Sequence, residues 1–148
     1  MRGMKVRSNS AEETRRFGEW LSQFLEPRDV VGLAGELGAG KTMLVQGIGR
    51  GLGVSEQVKS PSFTIVNEYS GSLPLYHVDL YRVNSEDFFK LGLEEYLYGD
   101  GVVAIEWADK IQGFFPGDGI YIILKRLDGQ LRELDLTTEK NIDVGSWS

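Results

Sequence analysis

Short apolar runs alternate with turn-forming residues along most of the chain, and this pattern predicts both strands and helices. Runs that are too short for helices are predicted strands. They cover residues 5–7, 29–34, 64–69, 75–79, 102–105, 120–124 and 131–136. Four apolar residues recur at helical spacing and mark one face of a first helix: Phe17, Leu21, Phe24 and Leu25. That helix is predicted to start after Ser10, with Glu13 completing a capping box, and to end before Pro27.

Turn signals join two pairs of these strands into antiparallel hairpins. Residues 71–74 form the first turn, and Asp128-Gly129, the strongest short hairpin signal in the chain, forms the second. Between the hairpins, a short helix capped by Ser85 is predicted to run through Leu91. A further helical stretch is expected over residues 93–98.

A glycine-rich segment follows the second predicted strand and precedes a stretch with helical spacing. It reads Gly-Glu-Leu-Gly-Ala-Gly-Lys-Thr over residues 35–42 and fits the pattern of the phosphate-binding P-loop. Its glycines allow the tight turns that point backbone N–H groups at a phosphate. Lys41 is expected to reach the outer phosphates, and the Thr42 hydroxyl to ligate Mg²⁺. The predicted nucleotide-binding residues here are Glu36, Leu37, Gly38, Ala39, Gly40, Lys41 and Thr42.

The order of strand, glycine-rich loop and helix, together with two hairpins, predicts an α/β fold. We expect a three-layer P-loop NTPase-like domain with a mixed, parallel and antiparallel, central sheet. A length of 148 residues suits one domain with a hydrophobic core. Residues 1–148 are therefore expected to form a single P-loop ATPase domain, in which the polar residues 141–148 form a disordered tail.

Composition narrows the choice of partners and compartment. The formal net charge is −6, with 22 acidic and 16 basic residues, which argues against tight nucleic-acid binding by the chain alone. The chain has no cysteine, so neither disulfides nor thiolate chemistry are available. No apolar run approaches the roughly 18 residues of a membrane span, and the first residues lack the apolar core of a secretory signal. A cytoplasmic protein without membrane association is the expectation.

A P-loop needs an acidic group near the metal, at the end of a neighbouring strand. Glu106 follows the apolar run 102–105, and Asp79 ends the run 75–79. Ligands gather at the carboxyl ends of such strands, so both acids are predicted to serve the nucleotide. Either acid could hold Mg²⁺, directly or through water, while the other positions the attacking water. The residues themselves leave this choice open.

Four further side chains lie close to these acids in the sequence. His77 is the only histidine, and a structural role, with its ring bonded to backbone or a carboxylate, is favoured over a role as base. Arg82 is predicted either to pair with Asp79 or to approach the phosphates. Tyr81 is expected to pack in the core or hairpin, and packing is also favoured for Trp107 over a partner-facing role.

Several segments together resemble one family. Besides the P-loop they read Ser-Pro-Ser-Phe-Thr over 60–64, Leu-Tyr-His-Val-Asp-Leu-Tyr-Arg over 75–82 and Ile-Glu-Trp-Ala-Asp over 105–109. In this order and spacing they resemble the TsaE family (also called YjeE), the bacterial ATPase of tRNA threonylcarbamoyladenosine synthesis. The resemblance runs from the first helix to about Trp107, and the second and third segments make it specific.

This resemblance implies a function and a set of partners. Proteins of the family bind ATP and Mg²⁺ and associate with a TsaB–TsaD protein pair, which transfers the threonylcarbamoyl group to a tRNA adenosine. Their own ATP hydrolysis is weak and supports repeated turnover, and they do not carry out the transfer. The chain would accordingly meet tRNA only indirectly, through the complex, which agrees with its acidic charge.

The resemblance also assigns roles to individual residues. The catalytic set would be Lys41, which holds the β- and γ-phosphates, with Asp79 and Glu106; Asp79 would be essential for hydrolysis. Thr42 and Glu106 would be the Mg²⁺ ligands. A mobile, switch-like loop beside the γ-phosphate would comprise Ser60, Pro61, Ser62, Phe63 and Thr64. Two outlying contacts are expected as well: Thr14 near the adenine and Arg132 from the last hairpin.

Two other functions start from the same P-loop. A small-molecule kinase usually carries an arginine-bearing lid and an acceptor pocket, whereas arginines after the loop are isolated here, at positions 82, 126 and 132. A nucleotide-dependent binding module would hydrolyse nothing meaningful, and the presence of Asp79 and Glu106 argues against it. The accessory ATPase is therefore the favoured function.

Overall fold

Across residues 2–60 and 65–147, the computed structural model of the chain has seven β-strands and three α-helices. The strands are β1 (Arg2–Ser8), β2 (Val30–Ala34), β3 (Val66–Tyr69), β4 (Leu75–Asp79), β5 (Val102–Glu106), β6 (Ile120–Arg126) and β7 (Arg132–Thr138). The helices are α1 (Ala11–Ser22), α2 (Lys41–Gly51) and α3 (Ser85–Lys90), and short 3₁₀ segments cover Leu93–Tyr98, Ala108–Phe114 and Val144–Ser146. Within these ranges no helix is long and apolar enough to cross a membrane.

One mixed sheet contains all these strands, in the order β1-β7-β6-β2-β5-β4-β3. Strands β6, β2, β5 and β4 are adjacent in this order and run parallel to one another. Both predicted hairpins, β3–β4 and β6–β7, are antiparallel, and β1 pairs antiparallel with β7. The predicted mixed sheet is thus confirmed. Because the four central strands are parallel, their carboxyl ends meet at one edge of the sheet.

Helical elements cover both faces of this sheet. On one face α1 and α2 contribute fully buried side chains such as Phe17 and Ile48. On the other face α3 and the first two 3₁₀ segments contribute Phe88, Leu93 and Ile111. Strands β2 and β5 are buried along their whole length, as expected for strands shielded on both sides. The three-layer α/β prediction is therefore confirmed.

Glycines allow α1 and α2 to approach each other closely. A Cβ atom on Gly47 would lie 1.9 Å from the Arg15 carbonyl oxygen, so an alanine there would force the two helices apart. We expect Gly47→Ala to lower the free energy of unfolding by about 3 kcal/mol. Gly113→Ala is the matched control, because a Cβ there meets nothing within 4 Å. Urea unfolding measures both variants, and equal midpoints for the two would contradict this packing.

The caps of two helices test the local predictions. Ser10 caps α1 as predicted, and its Oγ accepts the backbone N–H of Glu13 at 3.0 Å. For α3 the predicted cap, Ser85, is wrong. Asn84 is the N-cap, and its side chain accepts the N–H of Asp87 at 2.9 Å. Serine and asparagine are both common at the N-cap of a helix, so the residue type does not distinguish them. Asn84 has the extended backbone of an N-cap, whereas Ser85 is already the first residue of α3.

The expected disordered tail at residues 141–148 is instead packed as far as Trp147. Ile142 is 1% exposed and belongs to the core beside α1. The ring of Trp147 meets that of Phe17 edge-on, with centroids 5.4 Å apart, and lies 5.9 Å from that of Trp20. A few apolar side chains within the polar segment therefore suffice to hold it on the fold.

Candidate functional site

The P-loop joins β2 to α2 at the edge where the parallel strands end. Gly35, Gly38 and Gly40 adopt φ angles of 142°, 84° and 109°, which side chains rarely tolerate. A Cβ on Gly35 would also lie 2.4 Å from the Leu124 carbonyl oxygen. The predicted tight turns at these glycines are confirmed. The resulting glycine-rich cradle before a helix N-terminus fits a phosphate group.

Lys41, the first residue of α2, has its ammonium folded back over the P-loop. Its Nζ donates to the carbonyl oxygens of Gly35 at 2.6 Å and Glu36 at 2.9 Å. The same Nζ lies 4.1 Å from the ring centroid of Trp107, within range of a cation–π contact. The ammonium is therefore held at the loop by neutral groups.

Burial and nearby carboxylates act in opposite directions on Lys41. Burial lowers the pKa of its ammonium, while Glu106, Asp109 and Asp79 raise it to a smaller extent. The charged form is thus short of solvation in the folded chain. A phosphate group that approached this ammonium would favour its charged form in the same way as these carboxylates do.

Glu106 and Asp79 lie side by side, because β4 and β5 pair in parallel with these two residues in register. The Thr42 hydroxyl donates to Glu106 Oε2 at 2.9 Å. Asp79 Oδ2 accepts from the Ser60 hydroxyl at 2.9 Å, and its Oδ1 accepts the backbone N–H of Tyr81 at 3.0 Å. The structure therefore brings both predicted acids to the P-loop. It links Glu106 to the P-loop threonine and Asp79 to the loop that begins at Ser60.

Thr42 and Glu106 present the oxygen ligands that Mg²⁺ prefers. Within residues 2–60 and 65–147, no group of three or more His, Cys, Asp and Glu side chains could hold a metal by itself. Mg²⁺ at nucleotide sites usually takes one or two protein ligands and completes its shell with phosphates and water. The pair of Thr42 and Glu106 fits that requirement.

A cavity of about 460 Å³ opens beside the P-loop. The predicted site residues that line it are Leu37, Gly38, Gly40, Lys41, Thr42, Ser60, Asp79 and Glu106. Arg82 also lines it, together with Met43, Ile65, Tyr81 and Trp107. The rest of the predicted switch-like loop, Pro61, Ser62, Phe63 and Thr64, lies outside the described residues. Glu36 and Ala39 belong to the loop backbone, where their carbonyl oxygens accept from Lys41 and Arg132.

Two outlying nucleotide contacts are not supported by their placement. Thr14 is fully buried in α1, and its hydroxyl bonds to Ser8 Oγ at 2.7 Å and to the Ser10 carbonyl at 3.2 Å. Arg132 is 3% exposed and donates through Nε to the Ala39 carbonyl at 3.1 Å. Arg132 therefore supports the backbone of the P-loop. The sequence does not reveal this role, because Arg132 and Ala39 are far apart in the chain.

The aromatic wall of the cavity differs from the sequence prediction. Tyr81 is 53% exposed, so its expected place in the core or hairpin is wrong. Its ring lies 5.2 Å from that of Trp107. Trp107 packs partly against the core, as favoured, but it has a φ of 61° and covers Lys41. No sequence signal marks a tryptophan for this left-handed backbone, which is uncommon outside glycine.

His77 is fully buried on β4, and its Nε2 lies 2.6 Å from Glu106 Oε2. The favoured structural role, with the ring bonded to a carboxylate, is confirmed. The prediction did not identify which carboxylate is involved, since Asp79 is nearer along the same strand.

Comparison with known proteins finds a matching family model, similar sequences and a similar crystal structure. The family model described as "Threonylcarbamoyl adenosine biosynthesis protein TsaE" matches residues 8–134. Two proteins named "tRNA threonylcarbamoyladenosine biosynthesis protein TsaE" are similar. One from Bacillus subtilis is 42% identical over 142 residues, covering 95% of this chain and 89% of that protein. One from Treponema pallidum is 43% identical over 132 residues, with coverages of 88% and 98%. The crystal structure of Bacillus subtilis YdiB is similar with a TM-score of 0.81 and 40% identity, covering 95% of this chain and 88% of that one.

Proposed function

The chain belongs to the TsaE family of threonylcarbamoyl adenosine biosynthesis proteins, and from this we propose that it is an accessory ATPase of tRNA modification. It binds and hydrolyses ATP with Mg²⁺ and serves a TsaB–TsaD pair. Hydrolysis supports repeated rounds of threonylcarbamoyl transfer, and the pair itself carries out the transfer. The names of the relatives support the pathway, and the geometry of the site supports the chemistry.

The contact between Thr42 and Glu106 is the observation that carries the ATPase proposal. It brings the P-loop hydroxyl and a strand-end carboxylate within 2.9 Å of each other, which is the pair that holds Mg²⁺ in P-loop NTPases. The metal would neutralise charge on the phosphates of the bound nucleotide. Lys41, at the start of α2, would leave its carbonyl partners to bind the outer phosphates.

Asp79 acts on the water molecule that attacks the outer phosphate. Its carboxylate lies beside Glu106 but is bonded to Ser60 and not to Thr42. That places it on the side of the cavity where the switch-like loop begins, and a carboxylate there can orient a water molecule and accept its proton. Asp79 is accordingly the water-positioning residue, and Glu106 is the metal-side residue.

The charge of the chain supports an accessory role. With a net charge of −6, the chain is unsuited to holding the phosphate backbone of tRNA by itself. The pair would therefore bind the tRNA. A kinase is less well supported, because small-molecule kinases usually carry an arginine-bearing lid and Arg82 is the one arginine among the described residues that line the cavity.

The proposed role is tested by following tRNA modification over many rounds. The TsaB–TsaD pair is supplied with tRNA and the threonylcarbamoyl donor, with ATP and Mg²⁺ throughout. Without the chain, the modified tRNA is expected to level off near the amount of the pair. Addition of the chain should restore continued turnover, whereas the chain without the pair should modify no tRNA. Continued turnover by the pair alone, or transfer by the chain alone, would contradict the proposal.

A further inference from the structure

The histidine beside the metal-side carboxylate has a place in the fold that its size alone does not explain. His77 is 0% exposed and lies on β4 opposite Ala104 of β5. Its ring reaches along the sheet to Glu106, two residues further on β5, and its Nε2 lies 2.6 Å from Glu106 Oε2. A carboxylate only accepts hydrogen bonds, so Nε2 carries the proton and donates it.

The same carboxylate oxygen accepts a second hydrogen bond. The Thr42 hydroxyl donates to Glu106 Oε2 at 2.9 Å, so one atom receives donors from α2 and from β4. The Glu106 side chain is only 5% exposed, and these two donors fix its orientation. Of the two, Thr42 is itself a proposed metal ligand, which leaves His77 as the donor outside the metal shell.

The other ring nitrogen of His77 makes no hydrogen bond to a described residue that would explain a histidine at this position. Nδ1 of His77 is buried and has no hydrogen-bond partner among the described residues. A buried polar atom without a partner lowers the stability of the fold. An apolar side chain would avoid that cost, and among the described residues the bond to Glu106 is the one side-chain hydrogen bond of the ring that offsets it.

We propose that His77 is a positioning residue that holds the Glu106 carboxylate in the orientation needed to bind Mg²⁺ with the nucleotide. This inference rests on the proposed function and deepens it. Ligating carboxylates are themselves held by hydrogen bonds, and loss of such a bond typically costs about 10–100-fold in metal affinity. His77 is thus expected to affect the metal-dependent part of nucleotide binding and to leave the metal-independent part unchanged.

Two substitutions at this position separate the hydrogen bond from the packing. His77→Gln keeps an N–H donor, whereas His77→Phe keeps the bulk and removes the donor. Calorimetry measures the Kd for ATP with Mg²⁺ and with EDTA. The Kd with EDTA divided by the Kd with Mg²⁺ is the factor by which the metal strengthens ATP binding. His77→Phe should reduce this ratio about tenfold, and His77→Gln should keep it within about threefold of wild type. Val78→Ala is a buried change on the same strand, at a side chain that packs with Phe88 on the sheet face covered by α3, and it should leave the ratio unchanged.

An unchanged ratio in His77→Phe, or an equal loss in both variants, would overturn the inference while the proposed function stands. A wild-type chain whose ATP affinity does not depend on Mg²⁺ would overturn both. If His77→Phe does not fold, nitrogen NMR of the wild type decides, because His77 is the only histidine. Addition of Mg²⁺ to the ATP-bound chain should shift the Nε2 signal as Glu106 engages the metal. An unmoved signal would overturn the inference.

Discussion

Replacement of Lys41 by alanine is expected to abolish ATP hydrolysis, with a fall in rate of at least about 100-fold. The ammonium belongs to a P-loop residue and lies 2.6 Å from the Gly35 carbonyl oxygen. It is buried, and this burial lowers its pKa because the charged form loses solvation. Its interaction with developing charge on the outer phosphates would therefore be strong. Alanine removes that charge and leaves the rest of the cradle in place.

Steady-state phosphate release measures this effect. Lys125→Ala is the matched control, because Lys125 is exposed on β6, and it should hydrolyse ATP at the wild-type rate. Thermal unfolding of the Lys41→Ala protein shows whether the fold is intact. A folded Lys41→Ala variant that still turns over ATP would contradict the assigned site.

Asp79 and Glu106 are expected to fail in different ways when their charge is removed. Asp79→Asn should lower kcat by about 10²–10³-fold and leave the affinity for ATP with Mg²⁺ within about threefold. An amide keeps the shape of the side chain but cannot accept a proton from water. Glu106→Gln should instead weaken the effect of Mg²⁺ on ATP affinity, since Glu106 is the acid bonded to Thr42.

Rapid-quench hydrolysis and calorimetry, carried out on the same preparations, separate these two outcomes. Asp118→Asn changes an exposed acid away from the cavity and should match the wild type in both measurements. The division of roles would be wrong if Asp79→Asn lost the Mg²⁺ effect while Glu106→Gln kept it.

The features of the fold that sequence predicts well depend on local patterns. The tight turns of the P-loop are predicted from the glycines at 35, 38 and 40, because glycine adopts the positive φ angles that these turns require. The strand-end positions of Asp79 and Glu106 follow from the apolar runs before them, and the structure places both at β-strand ends as predicted. Their mutual distance then follows from parallel pairing, because strands with neighbouring positions in one sheet end at the same edge.

The features that sequence misses depend on contacts between distant segments. Arg132 reaches the Ala39 carbonyl only because β7 pairs with β6, next to the P-loop strand. Trp107 covers Lys41 and has a positive φ angle, which is uncommon for a tryptophan and which no residue pattern predicts. The segment that contains Ile142 is polar on average, so its composition predicts disorder although one apolar side chain is buried there. Tertiary packing decided each of these cases.

The accessory ATPase role is tested by measuring ATP hydrolysis by the purified chain, alone and with a TsaB–TsaD pair from the same source. We expect slow, Mg²⁺-dependent hydrolysis by the chain alone, a higher rate with the pair, and no hydrolysis by Lys41→Ala in either case. Absence of both stimulation and a complex with the pair would contradict the accessory role. Phosphate transfer to a metabolite faster than to water would contradict it as well, in favour of a kinase.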